Sequence, residues 1–95
     1  MATTHPIELI TTDDNIRNGQ PCIIGTQVRV LDIALAKLAH AQEPEGIATW
    51  YDLTLAQVYA GLAYYYQHKL EIDAHIRESM KQARQMKEQG VGKRH

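Results

Sequence analysis

The sequence predicts a mainly α chain, with a short N-terminal β-hairpin arm, a three-helix helix-turn-helix core and a long C-terminal helix. Three observations lead there. Asn18-Gly19 and Gly25-Thr26 bracket the apolar run Cys22-Ile23-Ile24, and Gln27-Val28-Arg29-Val30 then alternates polar and apolar with period two. From there to about Glu88 the chain is written in helical periods. Two breaks, Glu43-Pro44 and Asp52-Leu53-Thr54, divide its first half into three helices.

The arm occupies 1–30. Ile7-Glu8-Leu9-Ile10 is short enough for an edge strand, Thr11 to Gly19 reads as loop, and Pro21 to Val30 as the hairpin. The core is 31–68. Its first helix is expected from Leu31 or Asp32 to Gln42. Leu31, Ile33, Ala34, Leu35, Leu38, Ala39 and Ala41 make it apolar almost all round, so it must bury more than one face. One face would cover the core, and the other a second subunit or the hairpin. Pro44 suits the first turn of a short second helix to Tyr51, because its missing N–H has no partner to lose there. Asp52 or Thr54 can cap a third helix running from Leu55 to His68. Helix, short helix, tight turn and helix is a homeodomain-like layout.

The fourth helix is expected from Glu71 to Glu88, ended by Gly90 and Gly92, within a C-terminal element of 69–90. Residues 91–95 read as a disordered tail. The 95 residues make one domain. A lone cysteine forms no internal disulfide. Met1 to Pro6 lacks the basic and apolar regions of a signal peptide, and no apolar run is long enough to span a bilayer, so the expected location is the cytoplasm and no membrane partner is expected.

The segment Gly19-Gln20-Pro21-Cys22-Ile23-Ile24-Gly25-Thr26-Gln27-Val28-Arg29-Val30 resembles the Gly-Lys-Pro-x-Ile-x-Gly-Thr-Arg-Ile-x-Val signature of the bacterial family called domain of unknown function 433. Glu45-Gly46-Ile47, Asp52-Leu53-Thr54 and Ala60-Gly61-Leu62-Ala63-Tyr64-Tyr65-Tyr66-Gln67-His68 are similar to its later segments. Departures are local. Ile24 and Gln27 stand where the family typically has arginines, the 51–54 turn is one residue shorter and lacks a proline, and Ala41-Gln42 replaces a helix-ending glycine. The resemblance implies a VapB-like antitoxin of a toxin–antitoxin pair, with a nuclease toxin as partner and operator DNA as a second candidate.

The residues themselves qualify that reading. Net charge is −1, but it is distributed as −4 over residues 1–68 and +3 over 69–95. On a helical wheel the third helix puts Leu55, Val58, Tyr59, Leu62 and Tyr66 on one face, with Gln57, Ala60, Gly61, Tyr64, Gln67 and His68 on the other. It contains no Lys, Arg, Asp or Glu, whereas DNA affinity rests on cations against phosphates. Gln57 and Gln67 could pair with adenine, and Arg29 could stand in for the missing arm arginines. The bland alternatives are a helix packed for structure and a purely structural β-arm, and a non-DNA-binding adaptor is the competing role.

For a toxin, the amphipathic last helix offers Ile76, Met80 and Met86 as apolar contacts, ringed by Lys81, Arg84 and Lys87. No catalytic constellation, phosphate loop or cofactor motif is found. His68 and His75 lie about 10.5 Å apart along a helix, too far to share a metal unaided. No enzymatic activity, cofactor or small-molecule substrate is expected. The apolar first helix and the strand edge of the arm predict a homodimer.

Overall fold

A computed structural model describes residues 2, 3, 5 and 7–91, with side chains to Lys87. The expected tail falls, apart from Val91, outside the described residues. The order is β1 (Ile10–Thr11), a 3-10 turn (Arg17–Gly19), β2 (Cys22–Ile23), α1 (Val30–Leu38), α2 (Pro44–Tyr51), α3 (Leu55–Gln67) and α4 (Lys69–Val91). The chain is mainly helical, with a two-stranded antiparallel hairpin at its N-terminal end.

The hairpin pairs differently from the expected strand-turn-strand of Pro21 to Val30. β2 runs against β1, with Ile10 opposite Ile23 and Thr11 opposite Cys22. The Gln27–Val30 return makes one bridge, Cys22 to Arg29. Its turn is closed by the Ile23 N–H to the Val28 carbonyl at 2.9 Å, with Gly25 at φ 78. The arm does not project. Ile23 is fully buried against Ile33, Ile47, Val58 and Leu62.

α1 crosses α3, α2 and α4 and is covered from several sides. Ile33 and Ala36 face the first core cluster. Val30, Leu31 and Ala34 face a second, with Tyr65 and Ile72. Most of the apolar surface of α1 is therefore covered within the chain, Leu38 at its end staying exposed, and its all-round hydrophobicity is not itself a sign of a second subunit. The helix stops at Leu38 rather than Gln42. Glu43 must be extended ahead of Pro44, at ψ 157, and Ala41 adopts a left-handed conformation, φ 51, that lets the chain turn away. An L-residue with a Cβ pays roughly 1–2 kcal/mol there. Ala41→Gly is therefore expected to raise stability by about 0.5–1 kcal/mol, read as a higher urea midpoint at unchanged m-value; a lower midpoint would contradict it.

α2 keeps its expected bounds. Asp52, left-handed at φ 57, is its C-cap, so Thr54 alone caps α3. The Thr54 Oγ1 accepts the Gln57 N–H at 3.1 Å, and the Gln57 Oε1 accepts the Thr54 N–H at 2.8 Å. The buried seam of α3 is Val58, Gly61, Leu62 and Tyr65. It runs along the border of the two wheel faces and leaves Leu55, Tyr59 and Tyr66 exposed. At Gly61 α1 approaches so closely that a Cβ would lie 2.7 Å from Ile33 Cδ1. α4 starts at Lys69, two residues earlier than expected, because only His68 leaves helical geometry, φ −124 and ψ 38. It also runs through Gly90 instead of stopping there.

Candidate functional site

Two regions of α4 stand out: its outer half, and the junction of its inner half with the hairpin. They are joined by an anchored elbow. Tyr65, fully buried, donates its hydroxyl to Asp73 Oδ1 at 2.8 Å, and Lys69 Nζ donates to Asp73 Oδ2 at 2.8 Å while lying 5.8 Å from the Tyr65 ring centre. Bonds from Lys69 first and Tyr65 second hold the Asp73 carboxyl below its ordinary value, and the Asp73 bond raises the Lys69 amine. Burial is the main reason that the Tyr65 phenol is raised. Lys69 and Asp73 stand four residues apart on α4, one turn from each other. This elbow fixes the direction in which α4 leaves the body.

Past the elbow, Ile72 is buried and Ile76 half-buried against the second cluster. Every residue from Met80 to Lys87 is exposed. Met80 is 57% and Met86 71% exposed. Lys81, Arg84 and Lys87 are exposed too, and among the side chains described, which end at Lys87, no carboxylate pairs with them. Of the expected toxin contacts, Ile76 therefore belongs partly to the core, and the other five share the free half of α4.

The expected nucleic-acid residues are not brought together. The Arg29 side chain is 18% exposed, and its guanidinium is bidentate on Asp32, at 3.2 and 2.9 Å. Asp32 Oδ2 also accepts the Arg29 N–H at 2.9 Å, so this pair caps α1. Gln57 is tied to Thr54. Gln67 is exposed near the end of α3, beside a shallow apolar cleft with His5, Ile7, Ile10, Ala60, Ala63 and Tyr64. Ile24 and Gln27, the departures in the arm, are both exposed, and the Gln27 carbonyl accepts from Arg17 at 3.2 Å. Cys22 is buried, its thiol raised by that burial and turned to the Gln20 carbonyl at 3.3 Å. His68 stacks on Tyr64 with centroids 4.0 Å apart. Among the described residues no three His, Cys, Asp or Glu side chains cluster as metal ligands.

Sequence reasoning missed a polar cleft of about 240 Å³ between the hairpin and α4, lined by Asn18, Gln20, Arg29, His75, Glu78, Ser79 and Gln82. Gln20 Oε1 and His75 Nδ1 are buried and without hydrogen-bond partners among the described residues. Its rim is a left-handed turn, with Arg17, Asn18 and Gly19 at φ 50, 59 and 78. Asn18-Gly19 signalled the turn; the opposing α4 residues lie some sixty positions away and gave no signal.

A hairpin built on Gly19 and Gly25, closed on a helix-turn-helix core, is the part of the chain that a family model recognises. The family described as Protein of unknown function (DUF433) matches residues 10–65. The chain belongs to the DUF433 family. The match spans β1 to the last turn of α3, so the free half of α4 lies beyond it. No curated protein and no solved structure matches this chain.

Proposed function

We propose that this DUF433 chain is a non-catalytic antitoxin-like protein of a bacterial toxin–antitoxin pair, acting as a cytoplasmic homodimer that covers a nuclease toxin with the outer half of α4. The observation that carries this reading is the free half itself. Met80 and Met86 give deformable apolar contact, and Lys81, Arg84 and Lys87 are exposed cations carried on the helix that the Tyr65–Asp73–Lys69 elbow anchors at its base. A nuclease that works through metal-bound carboxylates has an acidic cleft. Lysines and arginines delivered there compete with both metal and RNA.

Removal of residues 77–95 tests it. Ile72 and Ile76 remain, so the truncated chain is expected to stay helical with a cooperative melt. Co-expressed with the product of the adjacent gene, it should no longer protect cells that the full chain protects. Full protection by the truncated chain would move the inhibitory surface to the hairpin, and an adjacent product without toxicity would remove the reading. The charge-free α3 favours a second reading, an adaptor that contacts proteins and not DNA. If operator DNA is bound, its phosphates are met by the α4 cations.

A further inference from the structure

In a helix-turn-helix core the third helix is the one that enters DNA. Here its outward face is unsuited to that. Leu55, Ala56, Tyr59, Ala63 and Tyr66 lie within an arc of about 100°, and all five are exposed. Leu55 is 44% exposed, Tyr59 52% and Tyr66 54%. No charged side chain stands anywhere on α3. We propose that this face is where two copies of the chain meet, α3 packed antiparallel on α3 about a two-fold axis passing beside position 61. The inference deepens the homodimer reading and rests on it.

The pattern of sizes selects the partner. Tyr59 and Ala63 are symmetric about position 61, and so are Ala56 and Tyr66. An antiparallel pair centred there sets each tyrosine over an alanine: Tyr59 over Ala63 of the second copy, Tyr66 over Ala56 of the second copy. Large against small on both sides of the axis is what an isologous contact needs, because one patch must be its own complement. A parallel pair sets tyrosine on tyrosine and alanine on alanine, and fills space poorly. The ends place no like charges against each other. Asp52 lies just before α3 and Lys69, whose ammonium is held by Asp73 of its own chain at 2.8 Å, just after it, and the antiparallel arrangement brings the Asp52 end of one copy beside the Lys69 end of the other.

The area sets the strength. A tyrosine that buries about 150–250 Å² in full has roughly half of that left here, and the whole stripe offers on the order of 300–400 Å² per copy. Stable pairs bury about 800 Å² per partner. The dimer is therefore weak and concentration-dependent, and the nonpolar face is covered only when the protein accumulates.

Sedimentation velocity on the full chain between about 10 µM and 1 mM decides the matter. The weight-average mass is expected to climb from the 10.8 kDa monomer toward twice that value. Tyr59→Glu is expected to hold the mass at that of a monomer while the helical circular dichroism and the melt stay as in the parent. Tyr59→Lys and Ala63→Glu chains, each monomeric alone, are expected to associate when mixed, because the antiparallel register places the two new charges opposite each other. A parent chain still monomeric at 1 mM overturns both the interface and the homodimer. A parent dimer that Tyr59→Glu leaves intact overturns the α3 face alone. Failure of the mixed pair to associate, with the parent dimeric and Tyr59→Glu monomeric, overturns the register. The toxin-neutralisation assay is independent of all three outcomes.

Discussion

Replacing Ile23 with alanine is expected to destabilise the fold by about 3 kcal/mol, within the range of roughly 2–5 for truncating a buried isoleucine. Ile23 sits on the short strand of what the sequence presents as an arm, yet it has no exposed surface and packs with Ile33, Ile47, Val58 and Leu62. Alanine removes three carbons from the centre of that cluster. The wall opposite is made of helices α1, α2 and α3, held by their own contacts, so the void cannot simply close. For a domain of this size the total stability is roughly 5–14 kcal/mol, and the loss is a sizeable fraction of it. Urea unfolding followed by helical circular dichroism measures it. A midpoint equal to the parent's would mean that the hairpin is a detachable arm rather than part of the cooperative unit. Ile24, next in the chain but exposed, is the control, and Ile24→Ala should move the midpoint little.

What the sequence makes legible follows from where its strongest punctuation stands. α2 is readable to the residue because Pro44 fixes its start and Asp52 ends it. The end of α1 is less so. Ala41 occupies a left-handed position that glycine or asparagine would have advertised, and alanine, a good helix former, points the wrong way. The hairpin's turn is visible in Gly25-Thr26, but the partner of β2 is not, since Ile10 and Ile23 are joined by long-range pairing rather than by a short loop. On α3 only Val58 and Leu62 of the five apolar positions of one wheel face lie in the core, because Gly61 lets α1 come close and turns the seam toward Tyr65. Hydrophobicity alone cannot separate an exposed tyrosine from a buried one.

The candidate site divides in the same way. The free half of α4 is legible, because its methionines and cations all fall within residues 80–87 of one helix. Arg29 and Gln57 are legible as polar residues and misleading as ligand contacts. Each has a partner three residues away: Asp32 takes the Arg29 guanidinium as an ion pair, and Thr54 takes Gln57 into a capping box whose signature is in the sequence. The polar cleft between Asn18 and Gln82 is not legible, since it exists only once the hairpin has docked on α4.

Gly61→Leu is expected to be more damaging than Ile23→Ala, and to leave too little native protein for a cooperative transition at 37 °C. Two terms oppose each other at this position. Glycine within a helix costs about 1 kcal/mol relative to alanine, so a larger residue gains something on the helix side. Against that, the first added carbon already falls 2.7 Å from Ile33 Cδ1 and 3.6 Å from Ile23 Cδ1. For Gly61→Ala the clash is with the tip of one side chain, and a small rotation of Ile33 relieves it at a cost similar to the gain, so the net change is expected to stay within about 1 kcal/mol of zero. Leucine adds three more carbons in the same direction. Ile33 and Ile23 are both fully buried and have nowhere to retreat, so α3 must move off α1 and opens the contact between both core clusters. Overpacking costs typically about 1–3 kcal/mol and more when backbone must shift; here it also removes burial from Val58, Leu62 and Tyr65 on the same seam. Thermal melts of the parent, Gly61→Ala and Gly61→Leu chains measure the two steps separately. A Gly61→Leu chain that melts cooperatively near the parent temperature would show that α1 and α3 are not in the close contact on which the core depends.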